Sequence, residues 1–147
     1  MSSIKNFLTQ DHRDCDDTFA AMEQQANSEG LSSAKSLYEK MSSEMEHHFQ
    51  MEERVMFPAF EQKTGMTQGP TEMMRMEHIQ MRELIKEVGE ALEADNKDRF
   101  FGLTETMMIM VQQHNMKEEQ MLYTMAQQHL SAEAEQVITM MEAMITE

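Results

Sequence analysis

HHFQMEERVMF, residues 47–57, and HNMKEEQMLY, residues 114–123, share one construction: a histidine, three residues, two adjacent glutamates, then aliphatic and aromatic side chains. In the first the pair is His48 and Glu52; in the second it is His114 and Glu118. A chain of 147 residues with only six histidines repeats the pattern, and that repetition decides how the rest is read. A histidine and a glutamate four apart project one above the other from the same helix face. Neighbouring turns then deliver an imidazole nitrogen and a carboxylate oxygen to one point, as a buried metal requires. Taken singly, such a pair is more often an ordinary helix-surface contact.

The spacing extends beyond the two stretches. His12 lies 36 positions before His48, and His78 lies 36 before His114. Each of His12, His48 and Glu52 lies 66 positions before His78, His114 and Glu118 respectively. The chain therefore reads as two copies of one helical hairpin, at about residues 1–64 and 67–130. The midpoint of the first histidine pair is residue 30, in Ser-Glu-Gly 28–30; that of the second is residue 96, in Asp-Asn-Lys 95–97. Side chains equidistant from the turn of an antiparallel hairpin sit at one height, because both helices rise equally per residue.

Punctuation elsewhere agrees with this division. Gly30, with Ser32 and Ser33 as candidate N-caps, separates helix 1 from helix 2. TGMTQGPT, residues 64–71, separates helices 2 and 3. Pro58 predicts a kink or break inside helix 2. An amphipathic segment at about 131–146 follows His129-Leu130-Ser131. Short connections imply antiparallel neighbours. The expected fold is all-α: an up-down-up-down four-helix bundle with a short C-terminal fifth helix, in a single domain over 1–147. One register is awkward. His48 lies about 16 residues from the end of its helix and His78 about 7 from the start of its own, a mismatch of roughly 13 Å.

Helices 1 and 3 then offer His12 and His78, while helices 2 and 4 offer His48 with Glu52 and His114 with Glu118. Six nitrogen and oxygen donors at one level are too many for one zinc ion and suit two irons bridged by carboxylates. Composition agrees with a helical, cation-binding protein. There are 20 Met but only 5 Gly, 2 Pro and no Trp, which disfavours strands and turns. The net charge of -15 repels nucleic acid and anionic membranes. No run of 18 apolar residues suggests a membrane span. The N-terminus turns polar before a signal-like apolar stretch develops, and the lone Cys15 suits a reducing compartment, so a cytoplasmic location is expected.

The motifs resemble the hemerythrin-like HHE family. They are HFQMEERVMFP at 48–58, HNMKEEQMLY at 114–123, Asp11-His12 and Glu77-His78, and they cover about residues 8–130. That resemblance implies a four-helix bundle holding an oxo- or hydroxo-bridged pair of iron ions. His12, His48, His78 and His114 would be terminal ligands, and Glu52 and Glu118 bridges. It implies O2 or a related small molecule as ligand. Oxygen-carrying members present two histidines one turn apart on helix 3, whereas here Met74 and Arg82 flank His78 at that spacing. One ligand fewer leaves about two open coordination positions, which favours reactivity toward O2, NO or peroxide over reversible carriage. Reduction of those molecules would need an electron donor. The alternative is a non-catalytic oxygen or redox sensor, or an iron-handling module; a plain structural bundle is the third reading.

Neighbouring residues carry weaker expectations. Glu53 and Glu119 point toward solvent or toward a ligand histidine. His47 is expected beside the site or at the surface, and His129 at a solvated helix end. Cys15 and Asp16 follow His12 by three and four residues, on the metal-facing side, where either could replace the absent ligand; a buried thiol and a surface carboxylate are the commoner outcomes. Tyr123 is either a packing residue or a hydrogen-bond donor to the site. Met45, Met74, Met81, Met110 and Met121 are expected to wall the site as core filler, with thioether binding of Cu(I) as the other reading.

Overall fold

The computed structural model describes residues 3–145. Residues 1, 2, 146 and 147, which the expected domain and its terminal segment include, lie outside the described residues. The elements are α1 (Ile4–Glu29), α2 (Lys35–Met51), α3 (Phe57–Thr64), α4 (Pro70–Glu93), α5 (Lys97–Lys117), α6 (Tyr123–His129) and α7 (Ala134–Glu142). A π-helical turn, Glu52–Met56, joins α2 to α3 without interruption, and a second, Glu118–Leu122, joins α5 to α6. Four long rods and a short fifth helix result, and no strand occurs among the described residues. The all-α bundle with a short C-terminal helix is thus the observed fold.

Apolar spacing explains why these helices pack. On α1 the buried positions include Ile4, Leu8, His12, Cys15, Phe19, Met22 and Ala26. On α4 they include Thr71, Met74, His78, Met81, Ile85, Val88 and Leu92. Steps of three and four keep each set on one stripe. His12 and His78 therefore occupy core positions as if they were apolar.

Helix ends follow local chemistry. Ser3 caps α1 by accepting from the Asn6 amide at 3.1 Å, and Asn96 caps α5 by accepting from the Arg99 amide at 3.1 Å. Gly30 (φ 94°) and Gly65 (φ 75°) end their helices in left-handed backbone that glycine adopts without a Cβ penalty. Ser32 and Ser33 do not cap helix 2. A 3-10 turn, Leu31–Ala34, precedes α2, and the Ser33 hydroxyl donates back to the Gly30 carbonyl at 2.6 Å.

The irregularity expected at Pro58 lies just before it, and its cause is not the proline. The π turn at Glu52–Met56 has its counterpart at Glu118–Leu122, where no proline follows. Pro58 has no N–H to give to the Glu53 carbonyl in this i→i+5 register. The Arg75 guanidinium donates to that carbonyl instead, at 3.3 Å, while lying over the Phe57 ring at 5.2 Å. The register between helices 2 and 3 is absorbed differently from a break: His78 meets Glu52, one turn beyond His48, with Nε2 3.0 Å from Oε1.

Two apolar clusters fill the bundle. Phe19, Met22, Met41, Phe49, Ile85 and Phe100 belong to one. Ile4, Leu8, Phe57, Phe60, Leu122 and Tyr123 belong to the other, which α7 closes with Ala134, Val137 and Met141. No helix among the described residues is long and apolar enough to cross a membrane.

Replacing Arg75 with Ala leaves the Glu53 carbonyl without its donor and is expected to cost about 1–2 kcal/mol in urea denaturation. In a Pro58→Ala background, where an N–H is restored, the same substitution is expected to cost less. Equal costs in the two backgrounds contradict this account of Arg75.

Candidate metal centre

Between the two apolar clusters lies a single polar layer. His12, His48, Glu52, His78, His114 and Glu118 are all buried, with both glutamates at 0% exposure. They fall into two groups whose donor atoms lie within 4.8 Å of one another: His12, His48, Glu52 and Glu118, and then Glu52, His78, His114 and Glu118. All six residues singled out from the sequence are brought together. Both glutamates belong to both groups.

Glu52 divides its oxygens between the groups, whereas Glu118 Oε1 serves both, lying 3.1 Å from His114 Nε2 as well. Glu118 Oε1 lies 3.0 Å from His12 Nε2, and Glu52 Oε2 lies 3.5 Å from His48 Nε2. On the other side Glu52 Oε1 lies 3.0 Å from His78 Nε2. Yet Glu52 Oε1, Glu118 Oε2, His78 Nε2 and His114 Nε2 have no hydrogen-bond partner, although His78 and His114 each bring Nε2 close to a glutamate oxygen. Four buried polar atoms left unpaired in one place are costly. A cation between them would satisfy all four, and an imidazole-carboxylate set is a donor set that could hold one.

The opposite ring nitrogens are fully committed. Nδ1 of His12 pairs with Glu119 at 2.8 Å, of His48 with Asp11 at 2.7 Å, of His78 with Glu53 at 2.6 Å and of His114 with Glu77 at 2.7 Å. An Nδ1–H donated to a carboxylate turns the lone pair of Nε2 toward the layer and makes it a stronger donor. Three of these carboxylates are themselves held by cations: Arg13 donates to Glu119 at 2.7 Å, Arg82 to Glu53 at 2.9 Å, and Lys117 to Glu77. Asp11 and Glu77 precede His12 and His78 and are 66 positions apart. Reading the histidines and glutamates alone missed this role for them. The signal was present, because an acid precedes the helix 1 histidine and its repeat counterpart alike.

Tyr123 does more than pack. Its hydroxyl donates to Glu52 Oε2 at 2.6 Å and lies 3.0 Å from Glu118 Oε1, 3.0 Å from His12 Nε2 and 3.2 Å from His48 Nε2. Other candidates stand apart. Cys15 is buried near His12 but belongs to neither donor group, and burial pushes its thiol up to about 12, so it is an inert neutral group. Asp16 pairs with Arg13 at 3.5 Å toward solvent. His47 lies 3.2 Å from the Met144 carbonyl, and His129 is exposed beside Phe60. Of the five methionines expected to wall the site, Met45, Met74 and Met81 are buried and Met110 is partly so. Met121 is not: it is 60% exposed. Its repeat counterpart Val55 is buried, and α7 packs against the Val55 turn; the Met121 turn has no such cover.

A cavity of about 300 Å³ reaches the layer at His12 and His48. Its walls include Phe19, Met45, Phe49, Met81 and Val111, and Asp16, Asp17, Gln112 and Asn115 also line it.

The family model described as "Hemerythrin HHE cation binding domain" matches residues 3–126 of the chain. No curated protein and no solved structure matches.

Without metal, protons must balance the layer. Burial acts to lower the His78 pKa, but its contacts with Glu52 and Glu53 outweigh this and raise it to about 9. His48 and His114 are raised against burial in the same way, by Glu52 and Asp11 and by Glu118 respectively. Burial likewise acts to raise Glu118, and the facing His114, His12 and His48 more than reverse it. A histidine whose folded pKa exceeds its unfolded value of 6.5 stabilises the fold below that pH and loses the contribution as pH rises through about 9. The melting temperature of the metal-free protein is therefore expected to fall between pH 6.5 and 9, while metal uptake releases protons and strengthens over the same window. Calorimetry across that range checks both; a flat or rising metal-free melting curve contradicts the protonated layer.

Proposed function

Because the chain belongs to the hemerythrin HHE cation-binding domain family, we propose that its polar layer holds two iron ions, joined by an oxo or hydroxo bridge, and that the protein binds O2, NO or peroxide there and reduces it. The observation that carries this reading is the set of four unpartnered donor atoms on Glu52, His78, His114 and Glu118, together with the sharing of both glutamates by two donor groups. His12 and His48 would hold one ion, His78 and His114 the other, and Glu52 and Glu118 would span the pair. Imidazole and carboxylate donors without thiolate, in a two-carboxylate bridge, suit iron. When bound, the ions supply Lewis acidity and electrons to a small oxidant.

The chain's own contribution is position and access. Asp11, Glu53, Glu77 and Glu119 hold the four imidazoles in one tautomer and orientation. The Phe and Met side chains along the cavity favour uncharged small molecules, while Asp16, Asp17 and the net charge of -15 repel anions. O2, NO and H2O2 are uncharged and fit that passage. Reduction needs electrons from a donor outside this chain.

Iron analysis of the loaded protein is expected to give two ions per chain, falling to one or none in His48→Ala and in His114→Ala while helical content persists. Mixing the reduced protein with O2, NO or H2O2 is expected to change its visible spectrum with at least one of them. Two bound irons that respond to none leave the sensing or iron-handling reading; no bound iron sinks the metal site itself.

A further inference from the structure

We propose that the Tyr123 oxygen is a fifth protein donor to the ion held by His12 and His48, so that the two metal positions are unlike. The inference rests on the di-iron reading above and deepens it. Donor atoms adjacent on one ion, each bonded at about 2.1 Å, are about 3 Å apart. The Tyr123 oxygen stands 2.6, 3.0, 3.0 and 3.2 Å from the four donor atoms of Glu52, Glu118, His12 and His48. Those four atoms lie within 4.8 Å of one another, so an ion among them must draw them inward, and the phenol oxygen, within 3.2 Å of every one, is already within reach of that ion. A hydrogen-bond donor serving one carboxylate has no reason to be equally close to both histidines.

The duplication supplies an independent argument. The repeat counterpart of Tyr123, 66 positions earlier, is Phe57. Phe57 is stacked near His78, with ring centroids 5.8 Å apart, and it brings no oxygen. The four atoms left unpartnered are those on the Phe57 side, whereas the Tyr123 side is satisfied. At this pair of repeat positions an aromatic ring packs beside the layer in each hairpin, and only Tyr123 carries a donor. On binding, the phenol O–H bond breaks, its electron pair forms the bond to the metal, and the proton leaves to solvent; no oxidation state changes.

The test loads the full chain with ferrous iron under argon, oxidises it with ferricyanide, and records visible absorption and resonance Raman spectra. The expected result is a phenolate-to-ferric charge-transfer band with enhanced tyrosinate ring modes. Tyr123→Phe is expected to lose both while still binding two irons. Tyr38 is the other of the two tyrosines; its hydroxyl donates to the Ile85 carbonyl at 2.8 Å, and Tyr38→Phe is expected to keep the band. Two irons bound by the native chain without the band, or a band that survives in Tyr123→Phe, overturn this inference and leave the di-iron reading standing. A native chain that binds no iron overturns both.

Discussion

Two carboxylates buried at the same height in an apolar bundle are the constraint on which the remaining structure depends. Glu52 and Glu118 have no exposure at all, and like charges in a low-dielectric interior repel strongly unless positive charge lies between them. The bundle supplies four imidazoles around the pair and places apolar clusters above and below. Positive charge in the layer is then either protons on histidine or cations on all six groups. The outer ring of Asp11, Glu53, Glu77 and Glu119, with Arg13, Arg82 and Lys117 behind three of them, fixes which nitrogen of each imidazole faces inward.

Duplication of one hairpin accounts for most of this arrangement. Ligand-type residues, their carboxylate supports and the π turns all recur at the same interval. A π turn begins at Glu52 and at Glu118, so the residue that must span the layer is also where the helix widens, a common location for functional groups. Where the halves differ, the differences have local causes. α7 covers Val55 but not Met121, and Phe57 replaces the hydroxyl that Tyr123 carries.

The histidine and glutamate positions were legible because they obey two simple rules: four residues return to one helix face, and equal distance from a hairpin turn means equal height. Helix boundaries at Gly30, Gly65 and Asn96 were legible from turn and cap chemistry. What escaped depends on tertiary neighbours. Asp11 reaches His48 across a hairpin, and Glu119 reaches His12 across the bundle; no periodicity within one helix announces either. Tyr123 lies five residues after Glu118 and should sit well around a regular helix, but the π turn rotates it into the layer. Met121 is exposed because α7 does not cover its turn as it covers that of Val55, and Ser33 was drawn into a 3-10 turn by the Gly30 carbonyl.

Iron-edge anomalous diffraction on crystals of the loaded protein is the most direct measurement of the central claim, that one buried layer accommodates two cations across shared carboxylates. Two peaks about 3–4 Å apart, each between one pair of histidines and both flanked by Glu52 and Glu118, are the predicted result. A single peak, or peaks on the protein surface with the layer left free of metal, would contradict it.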